Sequence, residues 1–221
     1  MHGVRSPDKP ESFLFLLTKK ITLLCPLKLH NKAKTKVKGA ADRAEIILRR
    51  MEDLCVDGGR VEVCPNTISY NTAINAYARS REVGSAKRAE SILRRMDELS
   101  SSHEYIDTFT DCKPDIISYS GVINAWSRSK EYYAAERAEA ILLHMEHQYS
   151  TGLSAIEPNI VTYTSAINAW ANSKKKESAE RAEAILNRMD SLYRGGNEAL
   201  KPTVLTFNTG THFKEYFSHY C

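Results

Sequence analysis

Apolar residues recur at helical spacing in a stretch that appears three times along the chain. In its first copy, Tyr70, Ala73, Ile74 and Tyr77 occupy positions i, i+3, i+4 and i+7. The same spacing returns in residues 119–126 and 163–170, which end on a tryptophan each time. Apolar side chains at these intervals lie along one side of an α-helix. The pattern therefore predicts three amphipathic helices of nearly the same sequence.

A second helical segment alternates with the first. It reads "ADRAEIILRRM" at 41–51, "AKRAESILRRM" at 86–96, "AERAEAILLHM" at 135–145 and "AERAEAILNRM" at 179–189. A proline precedes each copy of the first segment, and the successive spacings of Pro65, Pro114, Pro158 and Pro202 are 49, 44 and 44 residues. The chain is therefore built on a unit of about 44 residues that contains two helices.

A helix pair of this size cannot bury its apolar stripe alone, whereas stacked pairs bury one continuous core. We therefore expect an all-α fold, an α-solenoid of stacked antiparallel helix pairs. One helix from each unit should line a shared concave wall, which is where such folds bind their partners.

Charge is unevenly distributed along the chain. The net charge is +4, but residues 1–40 contribute +7 and the remainder −3, so the repeats are not basic overall. The apolar run at 13–29 is interrupted by Lys19, Lys20 and Pro26, which argues against a transmembrane helix or a secretory signal. A basic, acid-poor start is typical of organelle transit peptides. The predicted location is a mitochondrion or plastid, with the cytoplasm as the alternative, and no membrane partner is expected.

Residues with catalytic or metal-binding chemistry do not form a recognisable pattern. The five cysteines contain no CxxC motif, which predicts neither a disulfide framework nor a zinc site, and favours buried or incidental thiols in a reducing compartment. His144 and His147 have helical metal-ligand spacing, but no third ligand converges on them. The acidic residues recur at equal intervals, as on a structural face. We expect no catalytic site, metal, cofactor or small-molecule substrate.

The order of residues in each unit resembles the pentatricopeptide repeat family. A proline with Asp or Asn, two apolar residues, Ser or Thr and Tyr precede Ile-Asn-Ala-Tyr/Trp, and Ala-Glu, Ile-Leu and Met follow downstream. The resemblance covers residues 41–209, between a basic segment at 1–40, either targeting or disordered, and an aberrant tail at 210–221. It implies single-stranded RNA binding, one base per unit, in the processing, stability or translation of organellar RNA.

The resemblance also implies which residues contact RNA. The position after the Tyr/Phe varies between units while its neighbours hardly change, and an apolar residue three positions earlier is its neighbour on the helix. A small polar group can contact a base edge while the apolar one presses on the base face. The polar residues are Asn71, Ser120, Thr164 and Asn208, and the apolar ones are Ile68, Ile117 and Val161.

In the family, the polar residue acts with the last residue of its unit to select a base. By phase the pairs are Asn71/Asp115, Ser120/Asn159 and Thr164/Thr203. The first pair implies uridine, the second adenosine, and the third has no assigned base. Arg79 and Arg128 fall where the family often places a lysine near phosphate.

Three further interpretations are open at this stage. Asn66, Asp115, Asn159 and Thr203 follow prolines and are favoured N-cap residues, a role compatible with base contact. The mildly acidic repeats also fit a scaffold that binds other proteins. Besides RNA binding and the scaffold, another hypothesis is that the chain is the RNA-binding portion of a larger RNA-processing nuclease, such as a protein-only tRNA 5′-processing enzyme.

Overall fold

The computed structural model describes residues 39–56, 61–101, 111–203 and residue 206. These residues form helices and no strands, so the all-α prediction is confirmed. The seven α-helices are α1 Ala40–Val56, α2 Thr67–Ser80, α3 Ser85–Ser101, α4 Ile116–Ser127, α5 Ala134–Ser150, α6 Ile160–Asn172 and α7 Ser178–Arg194. Two short 3-10 helices lie at Val61–Val63 and Glu198–Leu200.

The helices stack as the repeat predicts. The first helix of each unit (α2, α4 or α6) packs between its own second helix and the second helix of the preceding unit. The first helices also pack directly on one another, whereas the second helices of the described chain are not packed together to the same extent. In a curved stack the more closely spaced layer lies on the inside. The first helices form one continuous layer, which corresponds to the predicted concave wall and is called the inner wall below.

The predicted apolar stripes form the core. Trp126 and Trp170 are fully buried, and so are Tyr70 and Tyr163 at the opposite end of the stripe. Small residues on the second helices, such as Ala89, let neighbouring helices approach closely. The core is one continuous cluster that runs through every described unit, which is how a solenoid of short helices becomes stable.

The starts of the first helices are fixed by side-chain caps. Asn66, Asp115 and Asn159 each accept a bond from the backbone N–H three residues later, and the Ser or Thr at that position bonds back to the cap residue's own N–H. Thr203 and Thr206 form the same reciprocal pair. The predicted capping roles are confirmed for all three helices, and each such cap contributes about 0.5–2 kcal/mol.

A glycine permits the close approach of two first helices. A Cβ atom added at Gly121 of α4 would lie 2.8 Å from Cγ2 of Ile74 in α2. The side chain of Ile74 would have to move to accommodate it. The inner wall is therefore closely packed at this level.

The recurrent glutamates of the second helices bind the next unit. The indoles of Trp126 and Trp170 donate hydrogen bonds of 2.8 Å to Glu90 and Glu139, and the hydroxyl of Tyr77 donates to Glu45. Because the acceptor lies one unit before the donor, these bonds hold successive units in register. This contact accounts for the equal spacing of the acidic residues.

The interpretation of the cysteines as buried or incidental thiols is wrong for Cys55 and Cys64. Cys55 at the end of α1 and Cys64 before α2 are joined by a disulfide, with their Cα atoms 4.9 Å apart. A separation of nine residues with no CxxC spacing gave no sign of this, because the pairing depends on how the chain turns between α1 and α2. Cys112 is buried, and burial raises the pKa of its thiol to about 11.

Several predictions concern residues outside the described part of the chain. These are the basic N-terminal segment, its apolar run at 13–29, Asn208 and the tail at 210–221.

Within the described ranges, no helix is long and apolar enough to cross a membrane, and no group of three or more His, Cys, Asp or Glu side chains could hold a metal ion.

Candidate nucleic-acid interface

A row of exposed aliphatic side chains runs along the inner wall. Ile68, Ile117 and Val161 stand at the same position of three successive first helices and are 72%, 53% and 52% exposed. Branched aliphatic residues are among the most often buried side chains. Exposed aliphatic side chains at the same position of three adjacent helices therefore indicate a surface that binds a partner.

The predicted polar row lies beside the aliphatic row, but its members differ in exposure. Ser120 and Thr164 are half-buried, as expected for groups at the edge of a binding face. Asn71 is only 7% exposed. The sequence treats these positions as equivalent, whereas the structure places the amide of Asn71 largely between two units.

The first predicted pair is in direct contact. The Nδ2 atom of Asn71 donates to Oδ1 of Asp115 at 3.0 Å. On its other side, Asn71 accepts a bond of 2.6 Å from the hydroxyl of Ser118. The structure therefore joins the two residues that the repeat phase had paired across 44 positions.

The second and third pairs have no such contact. Ser120 donates to the backbone oxygen of Ile117 at 3.2 Å, while the side chain of Asn159 caps α6. Thr203 bonds to Thr206. Within the described residues, no hydrogen bond joins Ser120 to Asn159 or Thr164 to Thr203. The structure thus brings one of the three pairs together.

Negative charge is absent from the inner helices themselves. The sequences of α2, α4 and α6 contain no Asp or Glu, and the acidic residues of the described repeats lie on the second helices and in the connecting segments. The net acidity of the repeat region therefore belongs mainly to the outer layer. The charge total that had weighed against nucleic acid does not describe the face where binding is expected.

Positive charge lies at one edge of the inner wall. Arg79 and Arg128 are exposed at the ends of α2 and α4, and no salt bridge engages them within the described chain. In the third unit Asn172 occupies this position and donates instead to the backbone oxygen of Ser127 at 3.0 Å. Two of the three equivalent positions therefore carry an exposed cation, and Asn172 at the third connects two units.

A second set of cations was missed by the sequence prediction. Arg81, Lys130 and Lys174 are exposed and occupy the same position in the three turns that follow the first helices. None of them takes part in a salt bridge among the described residues. The sequence could have indicated them, because each lies two residues after Arg79, Arg128 or Asn172 and so recurs with the repeat.

The stacked helix pairs define a helical-repeat protein of the α-solenoid class. Residues 153–209 match the family model for the pentatricopeptide repeat domain. This match covers α6 and α7, and for that segment it confirms the resemblance inferred from the residues. The family suggests an RNA-binding helical-repeat protein. No curated protein and no solved structure matches the chain.

Proposed function

We propose that the inner wall binds single-stranded RNA and that the protein acts, without enzymatic activity of its own, in the processing, stability or translation of organellar RNA. One observation carries the proposal. Exposed Ile68, Ile117 and Val161 lie in register beside small polar groups, on helices that contain no carboxylate. An apolar contact and a hydrogen-bonding group at each unit suit an unpaired base.

The chemistry of recognition follows from this placement. Single-stranded RNA exposes the flat faces and the hydrogen-bonding edges of its bases, which proteins recognise by packing and by polar contacts. The aliphatic row would press on the base faces and the polar row would contact the edges. A phosphate backbone carries one negative charge per nucleotide, so first helices without Asp or Glu lower the electrostatic cost of its approach, and Asp115 at the start of α4 is the carboxylate that remains beside the polar row.

Base selection is proposed for two of the units. Asn71 with Asp115 would select uridine and Ser120 with Asn159 adenosine, while Thr164 with Thr203 has no assigned base. The contact between Asn71 and Asp115 supports the first assignment, because both side chains can then face one base. No corresponding contact supports the second, which rests on the family resemblance.

The cations at the edge of the wall would contact phosphates. Arg79 and Arg128 are placed at equivalent points of two units, and the three turn cations Arg81, Lys130 and Lys174 lie two residues further along the chain. The organelle is proposed from the basic, acid-poor residues 1–40. A mitochondrion or a plastid would both fit this composition.

Selection from a randomised single-stranded RNA pool tests the proposal. The recovered sequences should share a uridine–adenosine step, and Asn71→Thr should move the first preference from uridine toward guanosine. Asn187→Thr, the same change on the exposed outer side of α7, is the control and should leave the selected sequence unchanged. Absence of any enrichment at low salt would instead favour a scaffold that binds other proteins.

A further inference from the structure

We infer that Ser118 is a positioning residue that fixes the orientation of the Asn71 side-chain amide and so sets base selection in the first unit. The inference rests on the proposed contact between Asn71 and a base. Ser118 lies in the next unit, 47 positions along the chain. It is fully buried and would not itself touch RNA.

The three side chains form a closed set of hydrogen bonds. The hydroxyl oxygen of Ser118 lies 2.6 Å from Oδ1 of Asn71, and Nδ2 of Asn71 lies 3.0 Å from Oδ1 of Asp115. The same oxygen of Asp115 accepts the backbone N–H of Ser118 at 2.9 Å and also lies 2.9 Å from the Ser118 hydroxyl, whose contact with Asn71 is the shorter one. Each group is therefore held by the other two.

The carboxylate determines which way the amide points. An ionised carboxylate only accepts hydrogen bonds, so the amide atom that faces Asp115 must be the N–H group. The reversed amide would place two acceptor oxygens against each other. With Nδ2 toward Asp115, Oδ1 of Asn71 faces the hydroxyl of Ser118, which can donate to it.

This arrangement limits what Asn71 can offer to a base. One amide N–H and one lone pair of Oδ1 are used within the protein, which leaves one donor and one acceptor. A group that cannot rotate discriminates between base edges better than one that can turn its oxygen and nitrogen around. Without Ser118, only the bond to Asp115 would hold the amide.

The third unit provides a matched comparison. Thr162 occupies the position of Ser118, is equally buried, and makes the same reciprocal cap with Asn159. Its hydroxyl donates to the backbone oxygen of Asn159 at 2.7 Å and makes no bond to Ser120. The two residues therefore share a structural role, and Ser118 alone adds a contact to a residue of the polar row.

The experiment compares Ser118→Ala with Thr162→Ala in the full chain. Base discrimination at the first position should fall roughly threefold to tenfold in Ser118→Ala, the effect of losing one orienting hydrogen bond. Thr162→Ala should leave the first position unchanged, and Ser118→Thr should restore discrimination. Equal losses of discrimination at the first position in both alanine variants, or no rescue by threonine, would overturn the inference.

A measurement without RNA keeps the inference separate from the proposed function. The side-chain amide protons of Asn71 should exchange slowly in the NMR spectrum of the native protein. They should exchange at least several-fold faster in Ser118→Ala than in Thr162→Ala, because only the first change removes a bond to this amide. Unchanged exchange would overturn the role of Ser118 even if RNA binds, while faster exchange in a chain that binds no RNA would reject the proposed function alone.

Discussion

The indole of Trp170 donates a hydrogen bond of 2.8 Å to the carboxylate of Glu139, a residue of the preceding unit that is only 8% exposed. Trp170→Phe keeps an aromatic ring in the core but removes this donor. The Glu139 carboxylate would then keep only the guanidinium of Arg181, 3.6 Å from its Oε1 atom, as a cationic neighbour. We expect the variant to lose about 1–3 kcal/mol of unfolding free energy, measured by urea denaturation followed by circular dichroism.

The other tryptophan serves as the control for this loss. Trp126 makes the same bond to Glu90, which is half-buried and also bound by the guanidinium of Arg137. Trp126→Phe should therefore cost less than Trp170→Phe. Equal losses in the two variants would mean that ring packing, rather than the hydrogen bond to the acidic residue, determines the effect.

Asn159 combines a cap with a proposed contact to RNA, and two substitutions separate these roles. Asn159→Asp keeps an oxygen that accepts from the start of α6, so its stability should stay within about 0.5 kcal/mol of the parent chain, while its base preference changes. Asn159→Ala should lose about 0.5–2 kcal/mol. Urea denaturation and selection from a randomised RNA pool measure the two effects. Equal stability of the alanine and aspartate variants would contradict the capping role.

The disulfide between Cys55 and Cys64 should stabilise the start of the repeats. It joins residues only nine positions apart, a short loop for which the loss of chain entropy in the unfolded state predicts about 2–3 kcal/mol. Urea denaturation with and without dithiothreitol should show this difference in the parent chain. In Cys55→Ala the effect of the reductant should disappear; a persisting effect would place the responsible disulfide elsewhere.

Stability should fall on the alkaline side as buried groups ionise. Burial raises the pKa of the Cys112 thiol from 9.0 to about 11 and that of the Tyr119 hydroxyl from 10.0 to about 12. Below pH 9 the thiol is protonated in both states, so it has no effect on stability there. Between pH 9 and 11 the unfolded chain loses the proton first, and stability should decrease by about 1 kcal/mol per pH unit.

The variant Cys112→Ala isolates this effect. Its unfolding free energy should depend less on pH between 9 and 10 than that of the parent chain, both measured in urea under reducing conditions. Parallel pH profiles for the two proteins would show that the Cys112 thiol is not the group responsible. Tyr119→Phe should flatten the profile above pH 10 for the same reason.

The periodicity of the sequence was sufficient to predict the fold. Spacing of apolar residues predicted the helices, the prolines and polar caps predicted where the first helices start, and the repeat predicted how units stack. Helix spacing and capping depend on residues within one or two turns, which a single sequence shows directly. The first helices differ slightly in length because each turn ends its helix differently.

Contacts between distant residues could not be predicted in the same way. The repeat phase pairs Asn71 with Asp115, but not with Ser118, whose hydroxyl reaches Asn71 only because α2 and α4 pack closely. The disulfide likewise depends on the path of one connection. The turn cations Arg81, Lys130 and Lys174 recur visibly at one position of the sequence repeat, but their exposure depends on the shape of the turns.

The salt dependence of RNA binding should show whether the turn cations contact phosphates. If Arg81, Lys130 and Lys174 each neutralise one phosphate, replacing all three by alanine should lower the slope of log affinity against log salt concentration by about 2. Replacing Arg43, Arg50 and Lys87, which are exposed on the second helices, removes the same charge from the outer layer. An equal change of slope in both triple variants would indicate an effect of total charge alone.

The most direct measurement compares RNA binding by two triple variants with that of the parent chain, using fluorescence anisotropy with labelled single-stranded RNA at low salt. Ile68→Ala, Ile117→Ala and Val161→Ala remove the inner aliphatic row. Ile46→Ala, Leu143→Ala and Leu192→Ala remove exposed apolar side chains of the second helices, which are 63%, 43% and 42% exposed. All six side chains are exposed, so both variants should remain folded. We predict that the inner variant binds about tenfold more weakly or worse, and the outer variant within about twofold of the parent chain. Equal affinities for the two variants, or no RNA binding by the parent chain, would contradict the proposal that the inner wall binds RNA.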